Sequence, residues 1–238
     1  MTQFERDHVH DVYDHIADAF SQTRYKPWPV IDRFLNTYTA KPGTLVADIG
    51  CGNGKYISSH RQGVFYQASD RSQNLLSLCT HKHPECCDGI QADTLKLPYT
   101  SACMDVCLSV AVLHHLSSHG RRVEAVREML RVLRPQGHLL VYVWAFEQGL
   151  ESKLRGSRVR PVKSELQLEG DMANMDEMTE ADVYVQWKSK DGSDTRWRYY
   201  HLFKQNELQM VVRDAGIEAE IVEEGYDKDN WYIILRKR

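Results

Sequence analysis

The chain has 238 residues, 42% of them hydrophobic and 26% charged, with a formal net charge of −3. Those proportions suit a folded α/β domain with an insertion, and they exclude a disordered chain or one that binds nucleic acid through overall positive charge. The longest apolar run, 139–146, has eight residues, against the roughly 20 a membrane helix needs. Residues 1–8 lack the apolar core of a signal peptide, so a cytoplasmic or nuclear protein without membrane association is expected.

Phe4, Val9, Val12, Tyr13, Ile16, Ala19 and Phe20 recur at a helical period, and a second helix is expected over 29–39. Together they make residues 1–43 an N-terminal helical cap or lid. A strand over 45–49 runs into Asp48-Ile49-Gly50-Cys51-Gly52-Asn53-Gly54, with a helix expected from about 54 to 59. Glycines at that spacing allow positive φ and close approach of a ligand to the backbone. A dinucleotide fingerprint reads G-x-G-x-x-G. Here the pattern is D-x-G-x-G-x-G, which suits a cationic, phosphate-free nucleoside such as S-adenosylmethionine.

A second strand, 64–70, ends in Asp70, followed by a helix over 73–82 and a short third strand over 89–93 ending in Asp93. Residues 104–113 form a near-continuous apolar run of the kind found in central parallel strands. An amphipathic helix over 118–133 stops at Pro135 and Gly137, and strand five covers 139–144. After an inserted loop region, 149–194, come a helix over 204–215 and two strands, 218–223 and 231–236. Alternating strands and helices imply a parallel, doubly wound sheet that binds ligands at the carboxyl ends of its strands, with an antiparallel last strand.

The insertion carries Lys153, Arg155, Arg158, Arg160 and Lys163 over 151–163, then seven acids and no Lys or Arg over 165–182, and reads as a solvated segment. None of the six cysteines makes a C-x2-C pair, so no structural zinc site is expected. His81, His83, Cys86 and Cys87 are the one metal-like grouping, weighed against a surface loop.

Asp70 lies where a carboxylate accepts both ribose hydroxyls, the reading favoured over a helix N-cap because of the glycine turn upstream. Asp93 can accept from an adenine amino group or cap a turn. His114 and His115 follow strand four at the mouth of the same crevice, as ligand contacts or as capping groups. The stretch 21–29 mixes Arg24, Lys26, Tyr25 and Trp28 with two prolines, a lid over the ligand or a proline-rich turn. Aromatics alternate in Trp197-Arg198-Tyr199-Tyr200-His201, which in strands is usually core packing.

These residues resemble a family. Phe20 to Pro29, Asp48 to Tyr56, Ser69 to Ser72, Val112 to His115, Arg121 to Glu124, Trp144 to Gly149, Arg198 to Leu202 and Asp227 to Trp231 are similar to the eukaryotic tRNA wobble-uridine carboxymethyl methyltransferases of yeast type, and to the methyltransferase domain of an animal AlkB-family tRNA enzyme. The glycine motif and its acids mark only the broad superfamily. The Arg-Tyr-Lys-Pro-Trp, Tyr-Tyr-His-Leu and Asp-Asn-Trp strings are more specific. The resemblance implies a Rossmann-like class I S-adenosylmethionine-dependent methyltransferase, a mostly parallel seven-stranded α/β sheet with its last strand antiparallel.

It also implies methyl esterification of a 5-carboxymethyl group on the wobble uridine (position 34) of a tRNA anticodon loop, in a heterodimer with a small zinc-binding activator subunit that carries the metal. In the relatives the insertion is long and basic, whereas here it is shorter and acidic after Lys163. The cofactor falls to Asp48, Gly50, Cys51, Gly52, Asn53, Gly54, Asp70, Arg71, Asp93 and Val110. Arg24 and Tyr25 are assigned to the carboxymethyl-uridine, with His115 and Trp144 beside the reacting atoms. Lys26, Trp28, Arg198, Tyr199 and His201 hold the nucleotide, and Asp229, Asn230 and Trp231 shape the uracil pocket. A small-molecule carboxyl or O-methyltransferase and a non-catalytic S-adenosylmethionine-binding scaffold stand as alternatives.

Overall fold

The computed structural model describes residues 2–22, 28–58, 61–148, 158–163 and 178–238. The chain enters through α1 (Gln3–Glu5), which passes by a π-helical stretch, Arg6–His10, into α2 (Asp11–Ser21). Thr2 caps the start, its hydroxyl accepting from the Glu5 N–H at 3.1 Å. α3 (Pro29–Tyr38) opens on a proline, which has no N–H to lose in a first turn.

Seven strands form one sheet in the order β3-β2-β1-β4-β5-β10-β9. They are β1 (Leu45–Ile49), β2 (Phe65–Asp70), β3 (Cys87–Gln91), β4 (Met104–Val110), β5 (Leu133–Trp144), β9 (Ala219–Asp227) and β10 (Asn230–Lys237). The first five run parallel, and β10 pairs antiparallel with both β5 and β9. α5 (His119–Val132) and α6 (Glu207–Asp214) cover one face around Val126, Met129, Leu139, Val141 and Val211. α3 and α4 (Gln73–Lys82) cover the other around Phe34, Leu35, Tyr66, Leu76 and Leu140. Both faces are buried, so the central strands read as unbroken apolar runs in sequence.

Three expectations need correction. No helix follows the glycine turn among residues 51–58, which form a succession of turns. Gly50, Gly52 and Gly54 all have positive φ, at 74°, 55° and 70°. A left-handed residue at every second position cannot continue an i→i+4 ladder. The second correction concerns 149–194, expected as a loop. Its described part contains β6 (Val159–Pro161) and β7 (Asp182–Lys188), which join β8 (Thr195–His201) in a separate antiparallel sheet ordered β6-β7-β8. That sheet packs Tyr184 and Tyr199 against Phe4 and Val9 of the N-terminal helical run. Strand five begins earlier than expected because Leu133 is already extended, with φ −68° and ψ 140°, and Pro135 lies inside the strand.

Candidate active site

The carboxyl ends of β1, β2 and β4 align, since Ile49 is level with Ser69 and Asp48 with Leu108. The chain leaves β1 through Gly50 because nothing larger fits: a Cβ there would stand 2.3 Å from Val112 Cγ2. A pocket opens over these ends. Its floor is Asp48, Gly50, Cys51, Gly52, Asn53, Asp70, Val110 and Val112; its roof is Glu5, Val9, His10, Tyr13 and Phe20 from the N-terminal helical run. The roof is pinned at both ends. Glu5, fully buried, accepts from the Ser117 N–H and from Arg121 Nε at 2.8 and 2.7 Å. Asn53 Nδ2 donates to Ser21 Oγ at 2.9 Å, and Ser72 Oγ donates to Asp14 at 2.7 Å.

Acids line the β1–β3 side. Asp48 is 2% exposed, and its Oδ2 has no hydrogen-bond partner among the described residues. Burial first, and then the Asp70 charge, push its carboxyl up to about 7. Asp70 Oδ2 accepts from the Gly52 N–H at 2.8 Å and Oδ1 from the Ser72 N–H at 2.9 Å. Each oxygen retains a second lone-pair position. The cap of α4 is Ser72, whose hydroxyl accepts from Leu75 N–H, so Asp70 orders the turn and still faces the pocket. Asp93 lies two residues beyond the end of β3. Its Oδ1 accepts from Leu95 N–H at 3.0 Å and its Oδ2 meets Arg71 at 3.3 Å. Both Arg71 and Asp93 line the pocket.

An unpaired buried carboxylate is costly unless a cation arrives. The residues present therefore fit S-adenosylmethionine: Asp48 for its positive end, Asp70 for ribose hydroxyls, Asp93 and Arg71 beyond, with Gly50 and Gly52 letting the ligand close on the backbone.

Aromatics line the β4–β5 side, where His115, Trp144, Tyr13, Tyr200 and Trp28 face the pocket. Trp144 stacks on Tyr200 with centroids 4.5 Å apart. Trp28 lies 5.0 Å from the Tyr142 ring, with Lys55 Nζ 4.5 Å from its own centroid. His115 Nδ1 is 3.0 Å from the Tyr199 carbonyl. A carbonyl only accepts, so Nδ1 carries the proton. Burial pushes His115 down to about 3, the carbonyl bond opposing and the Arg198 charge adding to the fall; the imidazole is neutral at pH 7. His114, fully buried behind it, accepts from the Trp144 N–H through Nδ1 at 3.2 Å.

Other expected site residues are not brought to the pocket. Gly54 is buried against α4, where a Cβ would meet Cys79 Sγ at 2.8 Å, and its carbonyl lies 3.0 Å from His83 Nε2. Tyr199 and His201 turn away from it. Tyr199 Oη donates to Asp182 Oδ1 at 2.5 Å, and His201 sits between Asp182 and Glu207 at 2.9 and 2.6 Å. On a strand, successive side chains take opposite faces, so Tyr200 faces the pocket and its neighbours do not. Arg198, on the Tyr200 face of β8, lies behind the pocket wall.

Asp229 and Lys228 both have positive φ, 67° and 47°, the backbone of a tight two-residue hairpin turn. Asn230 braces that turn by donating to the Lys228 carbonyl at 2.6 Å, and Trp231 Nε1 donates to Glu147 at 2.9 Å. These three stand next to Trp144 through the pairing Asn230 with Trp144 and do not line the pocket. Arg24, Tyr25 and Lys26 lie outside the described residues. The described residues hold no group of three or more His, Cys, Asp and Glu that could bind a metal, and no helix long and apolar enough to cross a membrane.

Sequence reasoning missed Glu5, His10, Tyr13, Phe20 and Tyr200. Tyr13 and Phe20 stood in the helical stripe of the first twenty residues, but periodicity reports a buried face without saying whether core or ligand covers it.

A methyltransferase domain model matches residues 47–141. Across 99% of its length the chain is 37% identical to the tRNA (carboxymethyluridine(34)-5-O)-methyltransferase of Schizosaccharomyces pombe, covering 98% of that protein. It is 33% identical to the Saccharomyces cerevisiae enzyme of the same name, over 98% of this chain and 97% of that one. Among solved structures, the fold matches a complex between the Haloferax volcanii Trm112 methyltransferase activator and the putative methyltransferase, with a TM-score of 0.61 at 15% identity over 97% of this chain and 98% of that one.

Proposed function

Because the chain belongs to the tRNA (carboxymethyluridine(34)-5-O)-methyltransferases, we propose that it esterifies the carboxylate of 5-carboxymethyluridine at tRNA position 34 with the methyl group of S-adenosylmethionine. The observation that carries this reading beyond the family match is the division of one pocket. Carboxylates from the β1–β3 side confront an aromatic wall on the β4–β5 side.

When bound, S-adenosylmethionine supplies an electrophilic methyl on a sulfonium. The acceptor is a carboxylic acid with a pKa near 4, already ionised at neutral pH. No proton has to leave it, which agrees with a neutral His115 whose Nδ1–H is spent on the Tyr199 carbonyl. The work left to the protein is placement and exclusion of water. Trp28 and Trp144 offer faces on which an unstacked uracil can lie. The N-terminal helical run closes the other side. Arg24, Tyr25 and Lys26 are proposed to complete the enclosure over the carboxymethyl group.

We also propose a small zinc-binding activator subunit as partner. What supports it is the β3 edge of the large sheet, where Asp88, Gly89, Ile90 and Gln91 are exposed and one side of the strand is unpaired in the sheet order. An open edge is a template for an added strand. For the tRNA backbone, Arg158, Arg160 and Lys163 are the proposed phosphate contacts; Arg160 stands 4.1 Å from the Trp197 ring centroid.

The test is a nucleoside mass measurement on tRNA from cells lacking the modification, incubated with the protein, S-adenosylmethionine and a co-expressed activator subunit. A mass gain of one methyl on carboxymethyl-uridine is expected. No gain, with cofactor binding intact, would return the protein to the scaffold or small-molecule readings.

A further inference from the structure

Arg198 on β8 is 3% exposed, and no carboxylate lies within ion-pair distance of it among the described residues. Its Nη1 donates to the Tyr13 hydroxyl at 2.9 Å, while its Nε has no partner among those residues. The guanidinium carbon stands 5.4 Å from the Tyr13 ring centroid and 5.3 Å from that of Tyr200. The two tyrosine hydroxyls are 2.9 Å apart, and both residues line the pocket. A buried cation is tolerated only when something compensates it. The nearby imidazoles do not: burial lowers His114 and His115, and the Arg198 charge lowers them further. Glu5 is held by Arg121 and Ser117, and the three aspartates line the opposite, β1–β3 side of the pocket. Among the described residues nothing supplies the missing negative charge, and Tyr13 and Tyr200, which cover the guanidinium, face the pocket.

We infer that Arg198, acting through the Tyr13 and Tyr200 hydroxyls, is the counter-charge for the carboxylate that is to be methylated. The inference rests on the tRNA methyltransferase reading and deepens it. Arg198 does not touch the ligand; it is a positioning residue. Its proton on Tyr13, and the hydroxyl pair it polarises, present an O–H donor to an anion in the aromatic half of the pocket. A donor polarised by a cation favours a charged acceptor over a neutral one. The arrangement accordingly holds the carboxymethyl substrate and loosens its grip once the ester has formed, because the product has lost the charge. A second carboxylate, that of the cofactor's amino-acid end, has the same chemistry, and the experiment separates the two.

Binding is measured for tRNA bearing carboxymethyl-uridine and for tRNA bearing its methyl ester, with Kd for S-adenosylmethionine measured alongside. The wild type should bind the acid form roughly tenfold more tightly than the ester, the scale of a hydrogen bond to a charged group. In Arg198→Met that ratio should fall to about one, with cofactor Kd unchanged within about twofold; Arg198→Lys should restore part of it. Tyr13→Phe keeps the guanidinium in place and should also lower the ratio, so the idea survives a poorly folded Arg198 variant. A preserved ratio in Arg198→Met or Tyr13→Phe overturns the inference, as does equal weakening of both tRNA forms. A Kd for S-adenosylmethionine raised tenfold with the ratio intact assigns the anion to the cofactor and overturns it too. If the wild type neither methylates carboxymethyl-uridine nor prefers it, the functional reading itself has failed.

Discussion

Asp48 is the residue whose chemistry is least satisfied without a ligand. Its folded value of about 7 lies above the 3.8 of a free aspartate because of burial and the neighbouring Asp70. Between those values the folded state holds a proton that the unfolded chain has released, so the ligand-free protein loses stability as pH rises toward 7. A cation beside Asp48 reverses the preference and expels the proton. Affinity for S-adenosylmethionine should therefore climb with pH and level off above 7, roughly tenfold tighter at pH 8 than at pH 6 by proton linkage. Calorimetry in buffers of different ionisation heat reads both the affinity and the released proton. Asp48→Asn should flatten the profile, and a flat wild-type profile would remove Asp48 from the cation's surroundings.

Among elements, β8 shows how one strand serves two ends. Its even-numbered side chains, Arg198 and Tyr200, serve the pocket. Its odd-numbered ones, Tyr199 and His201, build a buried tie through Asp182 of β7 to Glu207 of α6. Burial alone would lower His201, but the two carboxylates win and hold it above its ordinary value, while Asp182 and Glu207 are held below theirs. The imidazolium's contribution is complete below about 6.5 and is lost as pH rises through the raised folded value. The carboxylates contribute above their unfolded range and lose it in acid. His201→Gln should cost about 3 kcal/mol at pH 6, the usual loss on breaking a buried charge pair. That gap from wild type should narrow by pH 9. Urea unfolding at both pH values measures it, and a gap that widened with pH would show that His201 is neutral in the fold.

On the scale of the whole molecule, the large sheet ends in two different edges, β3 and β9, and the proposed activator belongs on β3. Ile90 is 39% exposed there, an apolar side chain on an edge strand that pairs on one side only. Ile90→Lys should abolish co-purification of a co-expressed zinc-binding activator while leaving binding of S-adenosylmethionine unaltered, and undiminished complex formation would move the partner elsewhere. Apart from the helix expected after the glycine turn, the order of strands and helices around the cofactor half was legible in sequence, because Asp48, Gly50, Gly52 and Asp70 sit within one local stretch and their roles follow from backbone geometry. The aromatic half was legible only as strings of residue types. Tyr13, His115, Trp144 and Tyr200 come from four elements separated by up to 187 residues, and no local pattern reports which of them meet. The chain's own order thus determined the fold class, the cofactor and, through resemblance, the family. Only the tertiary structure decided that Arg198 stands buried behind two tyrosines with no carboxylate partner among the described residues, that Tyr200 and not Tyr199 faces the pocket, and that Asp229, Asn230 and Trp231 form a hairpin beside the site. Those outcomes depend on strand parity, on register and on which charges burial leaves without partners, and each is settled by contacts between segments remote in sequence.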